Sequence, residues 1–244
     1  MDDQIVPTMP DARPGWLLDE LASAGRENLD VGHVARYDEK EDARAEAEVA
    51  LLESRGLDQT STVVDLGTGT GQLAMAVARR CARVFAVDVS PVMLDVLRAK
   101  VRAADVQNIE IVQAGFLSYE HHGPPADFVY TRWALHHLPD LWKAVALTRM
   151  RSLLAPGGIL RLSDIVFSFA PDQAADRLEQ WCATLPVDAT EGEWVRGDIE
   201  EHVRDEHSTF TWLLEPMIER SGFRIEIAEH SADGIYAEYI ATAV

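Results

Sequence analysis

The sequence predicts an α/β fold: an open, mostly parallel, doubly wound sheet covered by helices. Three observations carry that expectation. The stretch Val63-Val64-Asp65-Leu66-Gly67-Thr68-Gly69-Thr70-Gly71 reads as a short buried strand entering a glycine-rich turn that opens a helix. From there to about residue 166, short apolar runs alternate with helical patterns, as parallel strands joined by crossovers require. The chain then closes on two stretches of period-two alternation, the pattern of an antiparallel hairpin.

Taken in order, residues 1–15 carry Pro7, Pro10 and Pro14 and read as a loose arm. Trp16, Leu17 and Leu21 sit at helical intervals and predict a helix from Trp16 to Leu29. Residues 30–37 read as a loop crossing near the sheet. A second helix is expected over about 38–55, with Gly56 as its C-cap.

The first strand is expected over 62–66, its helix over about 70–80, and the second strand over 83–88. Ser90 as N-cap and Pro91 at the first helical position open a helix reaching about Ala104, with Met93, Leu94 and Leu97 toward the sheet. Strands follow at 109–113 and 127–131, then a helix over 140–154. Pro156-Gly157-Gly158 turns into a fifth strand over 159–166. The rhythm breaks near Ser168. Residues 170–209 are polar, carry Leu178, Trp181 and Trp194, and read as a helical insertion. A helix over about 209–220 follows, with Pro216 expected to kink or bound it. The hairpin spans 223–228 and 236–240, joined through Asp233-Gly234.

The 244 residues suffice for one well-buried core with an appendage. Forty-one acids against 22 bases give a formal charge of −19, a surface that repels a phosphate backbone. A nucleic-acid partner is therefore not expected. No run of about 18 apolar residues crosses a membrane, and the N-terminus lacks signal-peptide regions. Cys81 and Cys182 lie far apart without metal-type spacing, which fits a reduced, soluble, cytoplasmic protein.

The glycine-rich turn points to a nucleoside site at the first strand–helix junction. The second strand ends in Asp88, where a carboxylate can accept from both ribose hydroxyls. A dinucleotide fingerprint would place glycine at 72, where this chain has Gln72. That spacing disfavours a nicotinamide-dependent oxidoreductase.

Five motifs occur in order: Asp65-Leu66-Gly67-Thr68-Gly69-Thr70-Gly71, Asp88-Val89-Ser90-Pro91-Val92-Met93-Leu94, Ala126-Asp127-Phe128-Val129-Tyr130, Ala134-Leu135-His136-His137-Leu138-Pro139-Asp140 and Leu154-Ala155-Pro156-Gly157-Gly158. Over residues 60–165 they resemble class I S-adenosylmethionine-dependent methyltransferases, nearest to the small-molecule group that includes quinone-biosynthesis enzymes. The resemblance implies a Rossmann-like, seven-stranded sheet closed by the terminal hairpin. It implies S-adenosyl-L-methionine as cofactor, S-adenosyl-L-homocysteine as product and a small-molecule methyl acceptor. Along the chain, the single domain divides into an arm and cap helices over 1–58, a cofactor-binding core over 59–167, a helical insertion or lid over 168–209 and a terminal helix and hairpin over 210–244. A cofactor-binding but catalytically silent sensor is the alternative of a different class. Oligomeric state is left open.

By the same resemblance, Gly67, Thr68, Gly69 and Gly71 cradle the methionine portion, Asp65 orients its ammonium and Asp88 holds the ribose. Val89 and Met93 face the adenine, Met93 serving equally as core. The family commonly has an acid after the third strand to accept from the adenine amine. Here Gly115 stands in its place, leaving recognition to backbone amides around Gly115, Phe116 and Leu117 or to another side chain. Thr131 and Arg132 follow the fourth strand; Arg132 binds an acidic group or the cofactor carboxylate, or forms a surface ion pair. Trp133 is a pocket wall or a packing residue. His136 and His137 are the only titratable pair in a matched motif with a basic function, though in the family such pairs more often hold a loop. His33 and Tyr37 are candidates for the acceptor pocket, as are His207, Phe210 and Trp212; ordinary packing is the competing role for each. Neither His136-His137 nor His121-His122, read as a surface turn, shows a third ligand at metal spacing, so no metal is expected.

Overall fold

The computed structural model describes residues 14–25, 27–40, 44–187 and 194–244. Its sheet is built from parallel strands β1 (Thr62–Leu66), β2 (Arg83–Asp88), β3 (Ile109–Gln113), β4 (Ala126–Arg132) and β5 (Leu154–Phe167). β7 (Phe223–His230) and β8 (Tyr236–Ala243) close one edge antiparallel, giving the order β3-β2-β1-β4-β5-β8-β7. The expected seven strands are present. A two-residue strand, β6 (Thr209–Phe210), adds an eighth beside the end of β5. The chain leaves β1 toward β2 on one side and toward β4 on the other, so a crevice opens above the carboxyl ends of β1 and β4.

Burial on both faces explains the continuous apolar runs. Val63 and Val64 are each fully buried but belong to different cores. Val63 packs with Val49, Leu52, Leu73, Val77, Leu94 and Leu97, from α3 (Ala45–Ser54), α4 (Gln72–Val77) and α5 (Pro91–Ala103). Val64 packs with Leu147, Met150, Leu214 and Ile218, from α6 (Asp140–Leu153) and α9 (Thr211–Arg220). Each such side chain contributes about 1.5–3 kcal/mol by leaving water. α5 starts as its sequence requires, with Ser90 Oγ accepting from Met93 N at 3.2 Å and Pro91 at the first position. α4 ends at Val77, short of the expected residue 80, and α9 runs through Pro216 without ending there.

The amino-terminal portion departs from expectation. Residues 16–25 form turns rather than a helix, and only Glu27–Leu29 makes a 3-10 turn. Asp19 Oδ1 accepts from Leu21 N and Ala22 N, and Gly25 adopts a φ of 76°, so local turn bonds compete successfully with the helix. The expected loop at 30–37 instead carries α1 (Val31–Val34), capped by Asp30 Oδ1 on His33 N at 2.7 Å, and the start of α2 (Tyr37–Lys40). The single helix expected over 38–55 is replaced by α2 and α3, and Arg44 before α3 has a φ of 47°. Positions 41–43 of that expected helix lie outside the described residues, as do residues 1–13 of the expected arm and 188–193 of the insertion.

A buried ion network ties α3 to the sheet. Arg161 on β5 donates from Nε and Nη2 to the two Glu48 carboxylate oxygens at 2.9 and 2.8 Å, and Nη2 also pairs with Glu238 on β8. The insertion contributes α7 (Ala174–Cys182) and α8 (Arg196–Asp205). Trp181, Cys182 and Ile199 from these helices form a third core with Phe167, Phe169 and Ile235 at the end of the sheet.

Candidate active site

The turn after β1 needs its glycines for three different reasons. All three have positive φ, 74° at Gly67, 54° at Gly69 and 78° at Gly71. A Cβ on Gly67 would collide with Ala134, and one on Gly71 would collide with Leu97. Only at Gly69 would it stand free, 4.0 Å from Met93 Sδ and from the Tyr37 ring. Gly69 therefore gives the crevice its floor, whereas Gly71 is a packing residue and does not line it.

Two carboxylates shape this turn. Asp88 accepts from Gly69 N and from Ser90 N at 2.8 Å each, so it joins the tip of β2 to the glycine turn. Burial pushes its carboxyl up from the usual range. Asp65, nearly inaccessible, accepts from Thr68 Oγ1 at 2.6 Å. Burial raises its carboxyl to about 7, with the Asp88 charge adding to the effect and the Thr68 bond opposing it.

The crevice continues on either side of Gly69. One arm is lined by Asp88, Val89, Met93, Gly115 and Phe116, with Glu20 and Asn28 from the amino-terminal portion. The other is lined by Asp65, Thr68, Thr70, Gln72 and Tyr130. Gly67, Gly69, Tyr37, Arg132 and Trp133 line both arms.

Gly115 is the position where an acid was missing. A Cβ there would run into the Glu20 carboxylate, and the backbone around it is held by that same acid. Glu20 Oε1 accepts from Leu117 N at 2.9 Å and Oε2 from Ser118 Oγ at 2.8 Å. Glu20 thus brings a buried carboxylate to this end of the crevice from about a hundred residues away. Leu117 takes part through its backbone alone, its side chain being core.

A larger chamber of about 670 Å³ opens beside the crevice. Tyr37, Trp133, Asn28 and His137 line both spaces. Its far walls are aromatic: Trp181 stands edge-on to His202 and to Tyr236, and His33 edge-on to Trp194. Trp133 holds a φ of 50°, an uncommon conformation for a bulky residue, fixed by its N–H donating to Ser163 O at 2.9 Å. The Arg132 guanidinium lies 4.1 Å over its ring. Volume, apolar lining and a few polar groups are what a small-molecule site provides.

At one end of the chamber His136 is locked between two acids. Its Nδ1 lies 2.5 Å from Asp164 Oδ1, and its Nε2 lies 3.0 Å from Glu206 Oε2. Burial opposes charge on the ring, but Asp164 and Glu206 overcome it and push its pKa up to about 10. Asp164 and Glu206, despite burial, are held below the usual carboxylate range by the facing imidazoles. Burial and the neighbouring His136 charge push His137 down to about 3. His136 braces the loop after β4, and of the two rings only His137 reaches the crevice and chamber together.

His207, Phe210 and Trp212 do not line the crevice or the chamber. His207 donates from its backbone N to His136 O at 2.9 Å and accepts from Lys143 Nζ on its carbonyl, so its main chain is what matters. Phe210 packs on Phe167 and Phe169 in the third core, and Trp212 stacks outside it, 56% exposed. Period-3.6 reasoning could not tell the outer from the inner side of this short strand–helix junction. Thr131 is likewise buried within the sheet and lines neither space. Conversely, Glu20, Asn28, Trp181, His202 and Tyr236 were not foreseen, whereas Glu206 opens the polar and aromatic stretch 206–212 expected to meet the pocket. Glu20 and Asn28 lay in a segment expected to be a helix, and Trp181, His202 and Tyr236 lay in the insertion and hairpin, with no motif around them.

Residues 63–158 match the model of a family described as a methyltransferase domain. An uncharacterized methyltransferase of Mycobacterium tuberculosis is 32% identical over 148 residues, 59% of this chain and 71% of that protein. Among solved structures, the [4+2]-cyclase SpnF superposes with a TM-score of 0.67 at 17% identity, over 92% of this chain and 96% of that one. Magnesium protoporphyrin IX methyltransferase from Synechocystis PCC 6803 with bound S-adenosylhomocysteine gives 0.63 at 16% identity, over 93% of this chain and 100% of the other. At these identities the two structures share a fold with this chain.

Proposed function

The chain belongs to the class I S-adenosylmethionine-dependent methyltransferases, and from that premise we propose that it methylates a small molecule seated in the chamber beside Trp133 and Tyr37. The supporting observation is a junction: Tyr37 and Trp133 line both arms of the crevice and the chamber as well. A group held across Gly69 is therefore within reach of one held in the chamber.

The residues of the crevice fit the cofactor. Gly69 leaves a cradle that a Cβ would fill, Asp88 stands where ribose hydroxyls donate, and Asp65 offers a carboxylate to an ammonium. Val89, Met93 and Phe116 supply apolar walls for the adenine, and Glu20 accepts from its amine in place of the absent acid at 115. S-Adenosyl-L-methionine, when bound, supplies a methyl group already activated by the positive sulfur.

The protein's part is then placement and exclusion of water. Trp133, held rigid by its backbone bond and by Arg132, forms one side of the junction and Tyr37 the other. His137, held neutral, is able to accept a hydrogen bond from an acceptor group without competing for its proton. The chamber's walls admit an aromatic or otherwise apolar acceptor of modest size. Whether oxygen, nitrogen or carbon receives the methyl follows from what the chamber holds. The silent-binder and nicotinamide readings give way to the family assignment.

Among the described residues no helix is long and apolar enough to cross a membrane. Both cysteines are free and buried, in keeping with a reducing compartment.

A screen of small acceptors with the full chain, reading formation of S-adenosylhomocysteine, tests the proposal. Turnover that falls in Trp133→Ala and Tyr37→Ala while cofactor binding persists is expected. Absence of cofactor binding in calorimetry, or turnover indifferent to both substitutions, would overturn it.

A further inference from the structure

Three groups that bind metals meet at the end of the chamber, one of them with a ring nitrogen left unpaired. His136, His137 and Glu206 each offer one ligand atom, and all of these atoms lie within 4.8 Å of one another. His137 Nδ1 is buried with no hydrogen-bond partner and faces Glu206 Oε2 at 3.8 Å, and the groups close to that oxygen are imidazole nitrogens. Buried polar atoms are rarely left so, and each such case calls for a cause. A cation about 2.0–2.2 Å from each would bridge that gap.

The surroundings are those of a built site. Asp164 takes His136 by two atoms: Oδ2 accepts from the backbone N at 3.0 Å, and Oδ1 lies 2.5 Å from Nδ1. That fixes the ring with Nε2 turned to Glu206, the arrangement in which a carboxylate orients a metal-bound imidazole. Glu206 is braced in turn by His202, whose Nδ1 lies 2.6 Å from Oε2 and whose Nε2 is tied to Ser208 Oγ at 2.8 Å. Both inner groups thus have an outer partner. The ligands come from the loop after β4 and from the residue following α8, 69 or 70 positions apart, which is why no spacing in the sequence announced them.

We propose that His136 Nε2, His137 Nδ1 and Glu206 Oε2 bind one divalent transition-metal ion. Two imidazoles and a carboxylate suit zinc, cobalt, iron(II) or nickel and leave coordination positions open. His136, His137 and Glu206 all line the chamber, so those positions face the space assigned above to the acceptor. The ion would hold an oxygen donor there, which makes the acceptor class a hydroxyl- or carboxylate-bearing small molecule. This last step rests on the methyl-acceptor reading of the chamber; the metal site itself does not.

The test uses the full, tag-free chain, stripped with chelator, dialysed and titrated with Co²⁺ under spectroscopic and calorimetric observation. One Co²⁺ per chain, with the visible absorption of nitrogen and oxygen ligands and displacement by Zn²⁺, is expected. Glu206→Gln and His137→Gln should abolish stoichiometric binding, and Asp164→Asn should weaken it by about 10–100-fold. His122→Gln, in an exposed turn elsewhere, should leave it unchanged. No Co²⁺ bound by the wild-type chain, or binding untouched by both Glu206→Gln and His137→Gln, would overturn the site. Calorimetry with S-adenosylmethionine on the same stripped protein separates the two readings. A chain that binds the cofactor but takes up no Co²⁺ overturns the metal site alone, and one that takes up Co²⁺ but binds no cofactor overturns the functional reading alone.

Discussion

Glu20 lies over Gly115, its carboxylate filling the space that a side chain at 115 would need. The two positions are complementary: the loop after β3 leaves room at 115, and the amino-terminal turns bring a carboxylate into it. Glu20→Ala is expected to weaken S-adenosylhomocysteine binding by about 1.5–3 kcal/mol, the loss of a hydrogen bond to a charged group. Discrimination against an analogue with the adenine amine replaced by oxygen should fall with it. Equal affinity of wild type and variant for both nucleosides, measured by calorimetry, would refute the assignment.

Asp88 holds Gly69 N and Ser90 N, and in the proposed site it also receives the ribose. Asp88→Asn keeps the shape of the side chain but not its charge. Cofactor affinity should drop by about 1.5–3 kcal/mol through weakened charge-assisted bonds. An unaltered dissociation constant would remove Asp88 from the ribose site.

Asp65 is raised to about 7, so its proposed pairing with the cofactor ammonium predicts binding that depends on pH. Below that value the free protein carries the protonated carboxyl, and pairing with an ammonium requires the proton to leave. Affinity should therefore rise with pH from about 5 and level off above 7, with proton uptake by buffer on binding near pH 6. Calorimetry in buffers of different ionisation enthalpy checks this, and Asp65→Asn should abolish the proton release. The same shift gives the opposite trend in stability. The folded state binds the proton more tightly than the unfolded chain, so this group's contribution is complete below about pH 4 and is lost as pH rises toward 7.

Glu48 and Arg161 are both buried, and Glu238 completes their network. Glu48→Ala leaves the guanidinium short of its two-point partner. A loss of about 3–5 kcal/mol in unfolding free energy is expected, because an uncompensated buried charge costs more than the pair contributes. Thermal unfolding monitored by circular dichroism would show it. A midpoint unchanged from wild type would mean that Arg161 finds other partners.

Much of this was legible in the sequence, and the reason differs from element to element. β1 with its glycines, the Ser90-Pro91 start of α5 and the terminal hairpin depend on neighbours in the chain, so local pattern sufficed. The helix expected over 16–29 was lost because Asp19 satisfies Leu21 N and Ala22 N itself, a choice that apolar spacing does not report. Phe210 and Trp212 were placed toward the acceptor on their chemistry, but β6 pairs with β5 and seats Phe210 in the third core, leaving Trp212 stacked on its outer side. Glu20 and Glu206 reach the site from about a hundred and from seventy residues away. Such meetings depend on the folded path of the whole chain, and no window of sequence contains them.

The amino-terminal turns reach into two compartments at once. Asn28 and Tyr37 border both the nucleoside crevice and the chamber, and Glu20 anchors the same stretch at Gly115. Whatever settles over Gly69 also sets two of the surfaces that the second substrate meets. On the proposed reading the expected kinetic signature is compulsory order, nucleoside first and acceptor second, with product nucleoside competing against S-adenosylmethionine but not against the acceptor.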